Sequence, residues 1–185
     1  MKKTTKKTLK LALMVLVCTV LALANFSVAY AVDFKTVGHS CTVSVPDSLS
    51  ITADTTDITL TFTTYTTGSE TNQKTVNYSV VANNMRQADG QAAINVNLDS
   101  LFSQVDLKAK VGTYTKVAGN TSLVAANADF VTIGTTNVGV ANKTSSTGDG
   151  KILNGTIPIT YKGVAKADLP TGNETHLMFV TLTTV

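Results

Sequence analysis

Between Asp57 and Tyr65 the chain reads Asp-Ile-Thr-Leu-Thr-Phe-Thr-Thr-Tyr, which puts Ile58, Leu60 and Phe62 on one face and Thr59, Thr61 and Thr63 on the other. A period of two predicts a β-strand with one dry and one wet face. This is the clearest such run. Cys41–Val45 alternates in the same way until Pro46-Asp47 stops it, and Leu49–Ile51 resumes the rhythm. Val76, Tyr78 and Val80 form the next inward row, followed by Ile94, Val96 and Leu98, then Leu107, Ala109 and Val111. Phe130–Ile133 and Val138–Val140 read as short strands. Ile152–Tyr161 reads as a strand interrupted by Pro158, hence an edge or bulged strand, because proline cannot donate to a ladder. His176–Val185 closes the chain, with Met178, Val180 and Leu182 on one face.

Turn residues punctuate these runs. Gly68 and Asn72 mark one turn, and Asp89-Gly90 is a tight-turn signal. Gly112 and Gly119-Asn120 bracket an expected hairpin around Tyr114 and Val117. Lys143–Gly150 reads as a polar loop, and Pro170-Thr171-Gly172 closes another connection. Asp99-Ser100 is placed to cap one helical turn through Leu101, Phe102 and Val105. No segment sustains a 3.6-residue period. Eight to ten short strands at this spacing predict an all-β fold, a single antiparallel β-sandwich of Ig-like or jelly-roll type, because the connections are too short for helical crossovers.

Composition changes the picture at the N-terminus. Residues 1–31 carry five lysines and no acid, then an apolar run from Leu9 to Ala24, then Ala29 and Ala31 at the spacing of a signal-peptidase site. This predicts a cleaved signal peptide over 1–31 and one domain over 32–185, secreted or held at the cell surface, meeting the membrane only through the export signal. Without the leader, ten basic side chains face twelve acidic ones, so the formal +3 of the whole chain belongs to the leader. A single arginine, Arg86, remains. That argues against nucleic acid as a partner. Thr fills 28 of the 154 remaining positions, and a β-branched residue at that frequency suits pleated, half-exposed surfaces.

Candidate chemistry is sparse. Cys41 is the one cysteine after residue 31, so it forms no internal disulfide; it is either a small buried residue or a thiol that bridges two chains. His39 beside Cys41 reads as a surface histidine next to a structural cysteine. Asp47, Asp54 and Asp57 lack the regular spacing of a calcium loop. Five Asn-x-Ser/Thr triplets occur, at Asn77, Asn120, Asn142, Asn154 and Asn173. Neither a phosphate-binding glycine loop nor a nucleophile elbow is present. The residues call for no cofactor and no metal, and the expected protein is not an enzyme.

Ser40-Cys41-Thr42-Val43-Ser44-Val45-Pro46 followed by Leu49-Ser50-Ile51 resembles the opening strand of bacterial fimbrial-subunit and spore-coat-U-like domains. Leu169-Pro170-Thr171-Gly172 followed by Val180-Thr181-Leu182-Thr183 resembles their closing strand. The two ends cover about a quarter of the chain. Such subunits pair their first cysteine with a second, which this chain lacks. The resemblance implies a structural subunit whose partners are copies of itself or other surface subunits. In such an assembly Phe34 and Val37 would anchor a donor strand, and Met178, Val180 and Leu182 would border the acceptor groove. The alternative is a carbohydrate-binding or adhesin module, with Tyr65, Tyr114 and Tyr161 as the aromatic surface for glycans.

Overall fold

The computed structural model describes residues 40–145 and 150–184. The chain divides after Val43, and residues 40–43, the described part of the first unit, form no regular element. The second unit carries ten strands: β1 (Leu49–Ala53), β2 (Lys74–Ala82), β3 (Ala92–Leu98), β4 (Val105–Val111), β5 (Thr115–Gly119), β6 (Thr121–Ala125), β7 (Val131–Thr132), β8 (Val138–Ser145), β9 (Leu153–Ala165) and β10 (Met178–Leu182). Among the described residues there is no helix, and every strand pair is antiparallel. One sheet runs β1-β2-β9-β4-β7 with β5 also on β9; the other runs β10-β3-β8-β6. The all-β, antiparallel class expected from the alternation is therefore correct.

The alternation also placed the core. Val76, Tyr78 and Val80 of β2, Leu107, Ala109 and Val111 of β4, and Ile157, Ile159 and Tyr161 of β9 are buried. They share one apolar cluster with Ala93, Ile94, Val96 and Leu98 of β3, Val140 and Ala141 of β8, and Leu182 of β10. Each fully buried aliphatic side chain here contributes roughly 1.5–3 kcal/mol by leaving water. Asp89-Gly90 forms the expected turn: Gly90 has φ of 85° and Gln91 N donates to Ala88 O at 3.2 Å.

Five expectations need correcting. First, Cys41–Val45 joins no ladder and is exposed throughout. Second, Asp57–Tyr65 is not a strand. Its faces sort as predicted, with Ile58, Leu60 and Phe62 half-buried and Thr59, Thr61 and Thr63 exposed, but its only bridge is Phe62 to Thr71. The segment lies on the core through its side chains, while β1 takes the free flank of β2.

Third, β9 is a central strand despite Pro158. Gly112 N donates to Pro158 O at 2.9 Å, so the proline nitrogen faces the same side, where β4 has ended and β5 has not begun. The proline thus removes one bond at the very end of the β4 ladder. A Cβ on Gly112 would lie 2.9 Å from Pro158 Cγ, which is why a glycine turns the chain there. Fourth, residues 112–120 form no hairpin. β5 pairs with β9 and β6 with β8, so the chain changes sheets at Gly119-Asn120. Gly119 has φ of 95°, and a Cβ there would sit 2.2 Å from Ile152 O. Asn120 Oδ1 meanwhile accepts from Lys151 N at 3.0 Å and Ile152 N at 2.9 Å. Fifth, Asp99-Ser100 caps no helix; Asp99 Oδ1 accepts instead from Ser100 N and, across loops, from Leu177 N.

Candidate functional site

The last strand stands at a sheet edge. Thr183 N donates to Ala93 O at 2.8 Å and Asp99 N to Leu177 O at 2.9 Å. In an antiparallel ladder, pairs alternate between bonded and non-bonded. The odd residues of β10 therefore exchange bonds with β3, and Met178, Val180 and Leu182 turn their N–H and C=O groups away from it. Among the described residues no backbone group meets them there; the neighbouring Thr184 O is covered by Arg86 N at 2.8 Å. The three side chains point inward, as the alternation predicted: Leu182 is buried, Met178 and Val180 half-buried.

The first strand mirrors this arrangement. Asp54 N donates to Asn77 O and Asn83 N to Ser48 O, which turns the backbone groups of Leu49, Ile51 and Ala53 outward. Ile51 is half-buried and Leu49 remains 52% exposed. β10 approaches β1, so the two open edges border one seam of the core. The seam combines unpaired backbone with partly covered apolar side chains, the two properties that strand addition uses.

The segment leading into β1 has the complementary character. Val43 is 82% and Val45 75% exposed, alternating with Thr42 and Ser44. At the start of the second unit Asn83 Nδ2 donates to Pro46 O at 2.6 Å and Ser48 N donates to Asn83 Oδ1 at 2.7 Å. Cys41 is an exposed free thiol, not the small buried residue that was one expectation. Phe34, Val37, His39 and the expected signal peptide over residues 1–31 lie outside the described residues.

The three tyrosines do not make a platform. Tyr65 is exposed. Tyr114 is half-buried over Gly155, where a Cβ would lie 2.4 Å from its Oη. Tyr161 is fully buried, its hydroxyl 2.9 Å from that of Tyr78, and burial pushes both phenols up. Its inward position on a central strand removes it from any ligand surface. The acids are likewise engaged: Asp47 accepts from Asn84, and the Asn77 side chain and backbone N–H hold the Asp54 carboxyl below its ordinary range. Among the described residues no three His, Cys, Asp or Glu side chains converge as metal ligands.

One cluster gave no sequence signal. His176 Nε2 lies 2.9 Å from Glu174 Oε1, and its Nδ1 lies 2.7 Å from Ser100 Oγ. A carboxylate only accepts, so Nε2 donates to Glu174, and Nδ1 shares the other hydrogen bond with the Ser100 hydroxyl. The order serine, histidine, acid is that of acyl transfer. Here, however, the nearby amides are spent within the cluster: Ser100 N on Asp99, Ser103 N on Glu174 at 3.0 Å. Phe102 meets the imidazole edge-on, with ring centroids 4.6 Å apart. The contacts close into a latch between the β3–β4 loop and the segment entering β10. The His176 hydrogen bond holds the Glu174 carboxyl below its ordinary range. Ser100 and His176 are 76 residues apart, and each alone read as a cap or a strand start.

Comparison with protein-family models, with curated proteins and with solved structures finds no match.

Proposed function

We propose that this chain is an exported, non-catalytic structural subunit of the cell surface, a β-sandwich that joins copies of itself or other surface subunits by sheet-edge or donor-strand pairing. The observation that carries this reading is the seam between β1 and β10, where Met178, Val180 and Leu182 offer unpaired backbone and the Met178 and Val180 side chains are only half-covered. The exposed alternating run before β1, with Phe34 and Val37 further upstream, supplies the complementary strand, and its main-chain bonds would give affinity while alternate side chains set register. Cys41, exposed on that run, is placed to bridge two subunits.

The test is the size distribution of the secreted protein by light scattering behind a sizing column, with and without reductant. Val180→Pro removes an outward N–H and leaves the bonds to β3 in place. Polymers lost in that variant, with the β-sheet circular dichroism retained, support edge assembly; so does their loss on deleting residues 32–40. A wild-type protein that runs as a clean monomer, or polymers that survive both changes, defeats the reading.

A further inference from the structure

A cleft of about 490 Å³ opens at the end of the molecule formed by the β2–β3 loop, lined by Met85, Arg86, Gln87, Asp89, Lys143 and Lys151. Its volume lies within the ~300–1,000 Å³ of small-ligand sites. The charge there runs against the rest of the domain. Residues 32–185 hold more acids than bases, yet among the described residues this cleft gathers three cations, one of them the chain's only arginine, around a single acid.

Two buried polar groups in its wall are under-satisfied. The Lys143 side chain is 3% exposed, and its Nζ has one acceptor, Gln87 O at 2.6 Å. Asp89 Oδ1 lies 3.7 Å away, beyond hydrogen-bond range, and that carboxylate is already held by Ser145 N at 3.1 Å and Ser145 Oγ at 2.9 Å. An ammonium has three protons, so two find no acceptor among the described residues. Gln87 is 4% exposed; its Nε2 donates to Ala92 O at 3.1 Å, which fixes the amide and leaves Oε1 buried without a partner. Buried groups of both kinds ordinarily find partners. A ligand that brings an anion to Lys143 and a hydroxyl donor to Gln87 Oε1 satisfies both. Arg86 and Lys151, for which the described residues provide no ion pair, add a planar fork and a point charge for the same anion.

We propose that this cleft binds a carboxylate-bearing sugar of an acidic polysaccharide, its carboxylate held by Lys143, Arg86 and Lys151 and a ring hydroxyl by Gln87 Oε1. The cleft shares no lining residue with β1 or β10, although Arg86 N bonds Thr184 O just beyond β10. The probe is trigalacturonate, titrated into the isotope-labelled protein, with its methyl-esterified trimer and inorganic phosphate in parallel. The acid trimer is expected to move the amide signals of Gln87, Ala88 and Lys143, and to weaken about tenfold in Arg86→Ala and again in Lys151→Ala, both exposed side chains whose loss leaves the melting curve unchanged. Gln87→Leu is expected to weaken the trimer and leave phosphate untouched. No movement of these amides at millimolar trimer overturns the proposal. Equal affinity for the methyl ester overturns it as well, and equal affinity for phosphate reduces the cleft to a general anion site and overturns the sugar.

Discussion

Asp57–Tyr65 and β9 carry the same alternation and meet different fates. β9 runs thirteen residues with every odd position buried, paired to β2 on one flank and to β5 and β4 on the other. Asp57–Tyr65 sorts its faces just as cleanly and makes one bridge. Period-2 alternation therefore specifies which face is dry, not whether the backbone finds a neighbour. The difference lies in supply of partners: β9 is flanked by β2 on one side and by β4 and β5 on the other, while Asp57–Tyr65 meets only Thr71 in a single bridge.

The sharpest way to break this comparison is to truncate both. Ile157→Ala, fully buried between ladders, should cost ~2–5 kcal/mol in urea unfolding, whereas Leu60→Ala, half-exposed and unladdered, should cost about 1 kcal/mol. Equal losses would mean that the segment is as integral as the strand. Next in size is the hydroxyl pair inside the sheet. Tyr161→Phe leaves the Tyr78 hydroxyl buried and alone, at ~1–3 kcal/mol, and the double replacement Tyr78→Phe, Tyr161→Phe should recover most of that. A double variant as unstable as the sum of the singles would show that the two hydroxyls do not depend on each other.

The smallest effect belongs to the latch. Glu174 titrates below its ordinary range when folded, so its contribution is present above that range and drains away as pH falls through the lowered value. Glu174→Gln should therefore lower the melting temperature slightly at neutrality and flatten the acid limb, the two proteins converging as pH falls through the lowered value. An unchanged acid limb would show that the His176–Glu174 contact is absent in solution.

The inward rows were legible because burial writes itself into every second residue: Val76, Tyr78 and Val80, or Met178, Val180 and Leu182, needed no partner to be recognised. Partnership left no such trace. Pro158 spoke against a central strand, and only the gap between β4 and β5 shows why it is tolerated. Cys41–Val45 had a strand's rhythm and no ladder to enter. Tyr161 looked like a candidate ligand aromatic because a tyrosine at a strand end and one in a hydroxyl pair read alike. The basic cleft was invisible for another reason: Arg86, Lys143 and Lys151 come from separate loops and strands, and the burial of Lys143 follows from β8 continuing to Ser145 where a polar loop was expected.

The placement of β1 and β10 has a mechanical side. They are the first and last strands among the described residues, and each is held by a single five-residue ladder. Tension applied along the chain reaches these two ladders before the nine-residue pairing of β2 with β9. The domain would yield from its rims inward, shedding β1 or β10 while the strand that organises the core still carries no load.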